Sequence, residues 1–266
     1  MMLLGGLGGA LLLLAQPAPP SPDVPSAQTA DPLRFAPPLD RPMVYRVTTR
    51  RIARDGSLIN FSLVYALQWQ RIGRGYQLRS VLERIESDAP PAVTRALTAM
   101  LQPLVGEPLA YLVAPDGSRI DLIDPDGLWE RATARLEAVG AEGGREQARQ
   151  LAQLIAALPA AERDRLATAD VRALIAAANS GIAAATATDS ARVSMLDGET
   201  RQTIASVETS PPTAAGAPPL QIDQLWSIDT ATGLVMQDRR QSWIVEADGT
   251  GRTLVEERVR ALEPVP

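Results

Sequence analysis

The chain has 266 residues, 45% of them hydrophobic, and a formal net charge of −5. It contains no histidine, no cysteine and no lysine; all 26 basic residues are arginine. Those absences exclude a Ser-His-Asp triad, a thiol nucleophile, a disulfide, an imidazole or thiolate metal site, a Schiff-base lysine and a Walker-type phosphate loop. The acidic balance argues against a general nucleic-acid binder. No cofactor is implied.

Residues 1–15, MMLLGGLGGALLLLA, are apolar and carry no charged side chain. The run is short for a membrane span, which takes about 20 residues. It fits the h-region of a secretory signal, with Ala15 at the cleavage point, although a basic n-region is missing. An uncleaved inner-membrane anchor is the alternative. Residues 16–42 hold nine prolines and predict an extended, disordered tether. Signal and tether together predict a periplasmic location. The remainder, 43–266, has the size of one domain.

The clearest pattern is residues 58–70. Ile59, Phe61, Leu63, Tyr65, Leu67 and Trp69 take every second position, which predicts a strand with one apolar face. Tyr45, Val47 and Thr49 alternate before it, across an Asp55-Gly56 turn. Tyr76, Leu78, Ser80 and Leu82 alternate after it, across Gly73-Arg74-Gly75. Residues 43–86 therefore read as a three-stranded antiparallel meander whose greasy face needs a cover. Ser87-Asp88-Ala89-Pro90-Pro91 predicts a helix over 91–104. A hairpin follows, its arms at 109–113 and 118–123 around Pro115-Asp116-Gly117. Residues 125–186 form a helical insertion punctuated by Gly143-Gly144, Pro159 and Thr168, with helical apolar spacing at Val171, Leu174, Ile175, Ala178 and Ile182. Strands are predicted at 191–196, 200–208, 220–228, 234–246 and 252–262, with turns at Asp197-Gly198, Asp229–Gly233 and Asp248-Gly249 and a flexible loop at 211–219. The expected fold class is α+β: a curved, half-barrel-like antiparallel sheet with helices packed on its apolar face.

The charge is uneven. Residues 41–84 contain nine arginines against Asp55 and Glu83, a net +7. Arg46, Arg50, Arg51, Arg54, Arg71 and Arg74 mark a candidate basic surface for anionic headgroups or an acidic partner. The competing reading is a solvated face whose arginine stems cover the sheet.

Candidate chemistry is thin. Asp121, Asp124, Asp126 and Glu130 cluster, but without the twelve-residue calcium frame. Asp124 reads better as a helix N-cap with Pro125 in the first turn. Glu83/Glu86 and Glu256-Glu257 lie in strand contexts, and Asp229 precedes Thr232-Gly233 with too many residues between for an Asp-Thr-Gly motif. Ser57 and Ser118 follow Asp-Gly turns and have no base. No catalytic or metal-ligating residue is assigned.

In element order over 43–262, the chain resembles the periplasmic lipoprotein-carrier and mycobacterial lipid-carrier proteins. The likeness lies in the secretion signal, the meander at 43–86, the helical insertion, and the strand–turn–strand Ile228-Asp229-Thr230-Ala231-Thr232-Gly233-Leu234-Val235. The resemblance implies an unclosed half-barrel whose concave face is plugged by helices. No functional residue carries over from it. The expected function is non-catalytic binding of a lipid or other apolar ligand between sheet and helices, at Phe61, Leu63, Tyr65, Leu67, Trp69, Val171, Leu174, Ile175 and Ala178. The alternatives are an envelope scaffold with a protein partner, docking through the arginine-rich sheet or the Ala-rich helices, and a carboxylate-based hydrolase.

Overall fold

The computed structural model describes residues 34–52, 56, 58–143, 146–179, 182, 191–196, 199–210, 219–246 and 251–264. The signal at 1–15, most of the tether, Arg54, the Gly144 break, the loop at 211–218 and the turns at Asp197-Gly198 and Asp248-Gly249 lie outside the described residues.

Ten strands form one antiparallel sheet: β1 Pro42–Ile52, β2 Leu58–Ile72, β3 Gly75–Ser87, β4 Pro108–Val113, β5 Ile120–Leu122, β6 Ala191–Leu196, β7 Glu199–Ser210, β8 Leu220–Asp229, β9 Val235–Val245 and β10 Arg252–Pro264. The spatial order is β5-β4-β3-β2-β1-β10-β9-β8-β7-β6. The chain steps outward from β1 to the edge strand β5, crosses through helices to the opposite edge at β6, and steps back until β10 pairs with β1. The edges β5 and β6 are not paired with each other, so the sheet is open.

Alternation sets the inner face. Met43, Tyr45 and Val47 of β1 lie across from Leu67, Tyr65 and Leu63 of β2. In the β2–β3 pairing, Val64 faces Arg84 but Tyr65 faces Leu82, so Glu83 is an extra residue on β3. This bulge flips the side-chain phase. Leu82 and Ile85, three apart, both align with inner-face residues of β2, which is why the apolar alternation of β3 stops at Leu82. Two more irregularities, at Ser227/Ile228 and Leu254/Glu256, interrupt the other half. Bulges bend and twist their strands, which curves the sheet.

The helices are α1 Pro91–Leu101 with a 3₁₀ turn at Gln102–Leu104, α2 Pro125–Gly143, α3 Glu146–Ala157 and α4 Ala160–Leu174. Asp124 caps α2 as expected: its Oδ1 accepts from Gly127 N at 3.2 Å, and its carbonyl accepts from Leu128 N. Pro159 separates α3 from α4. Thr168 is no break. It sits inside α4 and turns its hydroxyl back to the Asp164 carbonyl at 2.8 Å, satisfying itself within the helix. The helical spacing over 171–182 also overreaches. α4 ends at Leu174, and 175–179 form turns.

The tether is shorter than its prolines suggest. Ala36 N donates to Thr232 O, Leu39 bridges to Trp69, and Asp40 N donates to Trp69 O. Phe35, 6% exposed, makes edge contacts with Trp69 and Tyr76 at centroid distances of 5.7 and 5.4 Å. Proline rules out ladder positions, not docking through one aromatic anchor, and each such ring pair contributes about 0.5–1.5 kcal/mol. Gly233, at φ 71°, lets the Arg34 carbonyl approach; a Cβ there would meet that oxygen at 2.8 Å. Gly117, at φ 75°, sits beneath the same anchor, where a Cβ would lie 2.6 Å from Ala178 Cβ and 3.0 Å from the Phe35 ring. Gly117→Ala is expected to cost about 1–3 kcal/mol in urea unfolding, through overpacking and a left-handed backbone.

Candidate functional site

Between the sheet and the helices lies a cavity of about 210 Å³. Its floor is the middle of the meander: Tyr45 of β1, Tyr65 and Leu67 of β2, and Ser80 and Leu82 of β3, continued by Leu109 and Tyr111 of β4. Its roof is Leu128, Trp129 and Ala132 from α2 and Leu166, Ala167, Asp170, Val171 and Leu174 from α4. Leu104 and Glu107 close one side. Leu166 lines the cavity yet is exposed to solvent, which marks the mouth.

Of the nine apolar residues expected to bind ligand, Tyr65, Leu67, Val171 and Leu174 line this cavity. The others go elsewhere. Trp69, fully buried, packs with Phe35 and Tyr76 in the main core. Ile175 is also in that core, and Ala178 packs against it, because α4 stops before either can share its face. Phe61 and Leu63 are half-buried and belong to neither core nor cavity. Trp129 and Tyr111 are lining residues that the pattern of a single strand and helix did not point to.

Three tyrosines gather under α4. Tyr45 donates to the Asp170 carbonyl at 3.2 Å and Tyr111 to the Ala167 carbonyl at 2.9 Å. Burial, and then the Asp170 charge, raises the Tyr45 and Tyr65 hydroxyls above the ordinary range; burial, and then Tyr65, does the same for Tyr111. A raised folded-state pKa gives stability that is full below about pH 10 and lost as pH rises further. The tyrosinate absorbance of the native protein is therefore expected to lag well behind that of the urea-unfolded chain. Coincident titration curves would contradict this packing.

No pattern along the chain points to the buried charge network beside the cavity. Arg258 and Arg260 of β10 face the inner side, across from Thr49 and Val47. Asp170 Oδ1 accepts from Arg258 and from Arg260, each at 3.0 Å. Arg260 also donates to Asp238 Oδ2 at 2.7 Å, and Gln224 donates to Asp238 Oδ1 at 3.0 Å. Burial opposes the charge on Arg260, but Asp170 and Asp238 more than offset it and hold its pKa above normal. Arg260 and Asp238 line a second, polar cavity of about 360 Å³ with Ser118, Arg172, Asn179 and Gln224. On the cavity's other flank, Glu107 is held by Arg131 and Arg135, each at 2.7 Å, and the Arg131 hydrogen bond lowers its pKa.

The proposed basic surface is largely neutralised. Pairing of β1 with β10 sets Arg50 opposite Glu257 and Arg51 opposite Glu256, and both form ion pairs at 2.9 Å. Arg46 bonds Glu86 and Glu263. Val64, 0% exposed, sits directly between Arg46 and Arg84 in the register, covered by their stems. Arg71 lies over the Tyr76 ring at 4.7 Å, and Arg74 is exposed. Sequence proximity counted the arginines, while the compensating carboxylates arrive from β3 and β10.

Six of the carboxylates considered for chemistry are engaged in structure. Glu86, Glu256 and Glu257 are the ion-pair partners just named. Asp229 closes its own turn, accepting from Ala231 N and Thr232 Oγ1. Asp121 pairs with Arg119 and Asp124 with Arg131. Among the described residues, no group of three or more acidic side chains is placed to hold a metal ion, and no helix is long and apolar enough to cross a membrane. No protein-family model matches the chain, and no curated protein matches it.

Proposed function

We propose that this protein binds a lipid or other apolar small molecule without catalysis, between the sheet and helices α2 and α4. The observation that carries the reading is the cavity of about 210 Å³ where two apolar faces meet. Protein interiors ordinarily close such gaps, and an apolar cavity of about 150 Å³ suffices to take up benzene in another protein. The volume suits one ring with a short tail, or a short stretch of acyl chain. An open antiparallel sheet crossed by helices also supports the likeness to lipid carriers. The apolar run at 1–15 and the proline-rich stretch after it support a periplasmic location.

The test is native mass spectrometry of the full chain purified from a bacterial host, with organic extraction of bound material. A reproducible co-purifying apolar species is the expected result. A clean apo mass that stays unchanged on adding fatty acid or phospholipid would overturn the reading.

A further inference from the structure

We infer that the cavity selects an electrically neutral ligand carrying one hydrogen-bond acceptor, such as a ketone or ester carbonyl, which Tyr65 engages. This rests on the ligand-binding reading above and narrows it to a chemical class.

Two observations carry it. The first is the charge of the wall. Among the described residues, the ionisable groups lining the cavity are the carboxylates Asp170 and Glu107 and three tyrosines, and no arginine lines it. Both carboxylates are already compensated from outside the lining, Asp170 by Arg258 and Arg260, Glu107 by Arg131 and Arg135. An anionic headgroup would enter a desolvated site whose lining supplies no cation to pair it, which penalises it. A cationic one would meet carboxylates whose charge is already spent on paired guanidinium groups.

The second is the unequal use of the tyrosines. Tyr45 and Tyr111 spend their hydroxyl protons on carbonyls of α4. Tyr65, on the same floor, makes no hydrogen bond among the described residues, and it is half-buried. It is protonated at neutral pH, so it is a standing donor on a mostly apolar wall, which also carries Ser80 and Trp129, whose indole Nε1 is buried without a partner among the described residues. The β2–β3 bulge falls at Val64/Tyr65, and bulges recur where a side chain is re-aimed.

Isothermal titration with butylbenzene, butyrophenone and 4-phenylbutyrate tests this, since the three match in carbon count and differ in the polar group. The ketone is expected to bind about fivefold more tightly than the hydrocarbon, the value of one net hydrogen bond. It should also exceed the carboxylate by at least about a hundredfold, the scale of leaving a charge uncompensated. Tyr65→Phe should erase the ketone's advantage and leave butylbenzene unchanged. Equal binding of carboxylate and ketone, or a ketone advantage that survives Tyr65→Phe, would overturn the inference while the ligand-binding reading stands. Failure of all three ligands to bind would overturn both.

Discussion

Replacing Arg260 with alanine is expected to cost about 3–5 kcal/mol in urea unfolding, the range for breaking a buried ion pair by removing one partner. Asp238 is 2% exposed, and Arg260 is the cation that compensates it. Without the guanidinium, among the described residues Asp238 keeps only the Gln224 amide, and Asp170 keeps only Arg258. The loss should come mostly from the stranded Asp238 carboxylate. Pairing Arg260→Leu with Asp238→Leu should therefore recover most of it, since a buried pair is often matched by apolar residues of similar volume. A single variant within about 1 kcal/mol of the parent would mean that water reaches the network and screens it. Because Asp170 sits on α4 while both arginines sit on β10, the network also fixes the roof of the cavity to the sheet.

Ala132→Leu is expected to abolish most ligand uptake while preserving the fold. Ala132 is buried on α2 and lines the cavity, so the added carbons extend into space the ligand would occupy. Affinity for a ring-sized apolar probe should fall at least about tenfold, equivalent to about 1.4 kcal/mol. Stability should hold or rise, because filling a void buries apolar surface at about 0.8 kcal/mol per methylene. A drop in stability with unchanged binding would place the ligand elsewhere. Equilibrium binding and thermal unfolding on the same preparation separate the two results.

Much of the architecture was legible along the chain. Period-two alternation marked β2 over six apolar positions, and glycine-bearing turns marked its neighbours, because a one-sided sheet writes its inner face into every second residue. What sequence could not carry was register across long separations. Read by hydrophobicity, β10 points Val259 and Ala261 inward and Arg258 and Arg260 to solvent. Pairing with β1 does the reverse, setting Arg260 across from Val47 on the inner face, where Asp170 and Asp238 receive it. The phase of a strand follows its neighbours, and β1 and β10 stand some two hundred residues apart in the chain.

The candidate site shows the same division. Of the apolar strand and helix faces, only Tyr65, Leu67, Val171 and Leu174 meet at the cavity. Trp69 is sealed by Phe35, whose segment reads as tether by composition. Ile175 and Ala178 leave the α4 face because the helix ends at Leu174. Arg46, Arg50 and Arg51 of the candidate basic surface are ion-paired, because charge counted along a segment ignores the strands laid beside it.

Whether an apolar ligand seats between the meander and α4 can be read from a crystal structure of the full chain pressurised with xenon, which partitions into dry apolar cavities. Xenon density is expected in the space bounded by Tyr65, Leu67, Val171 and Leu174. A sheet and helix closed on one another, with those four side chains in mutual contact and no xenon between them, would contradict it.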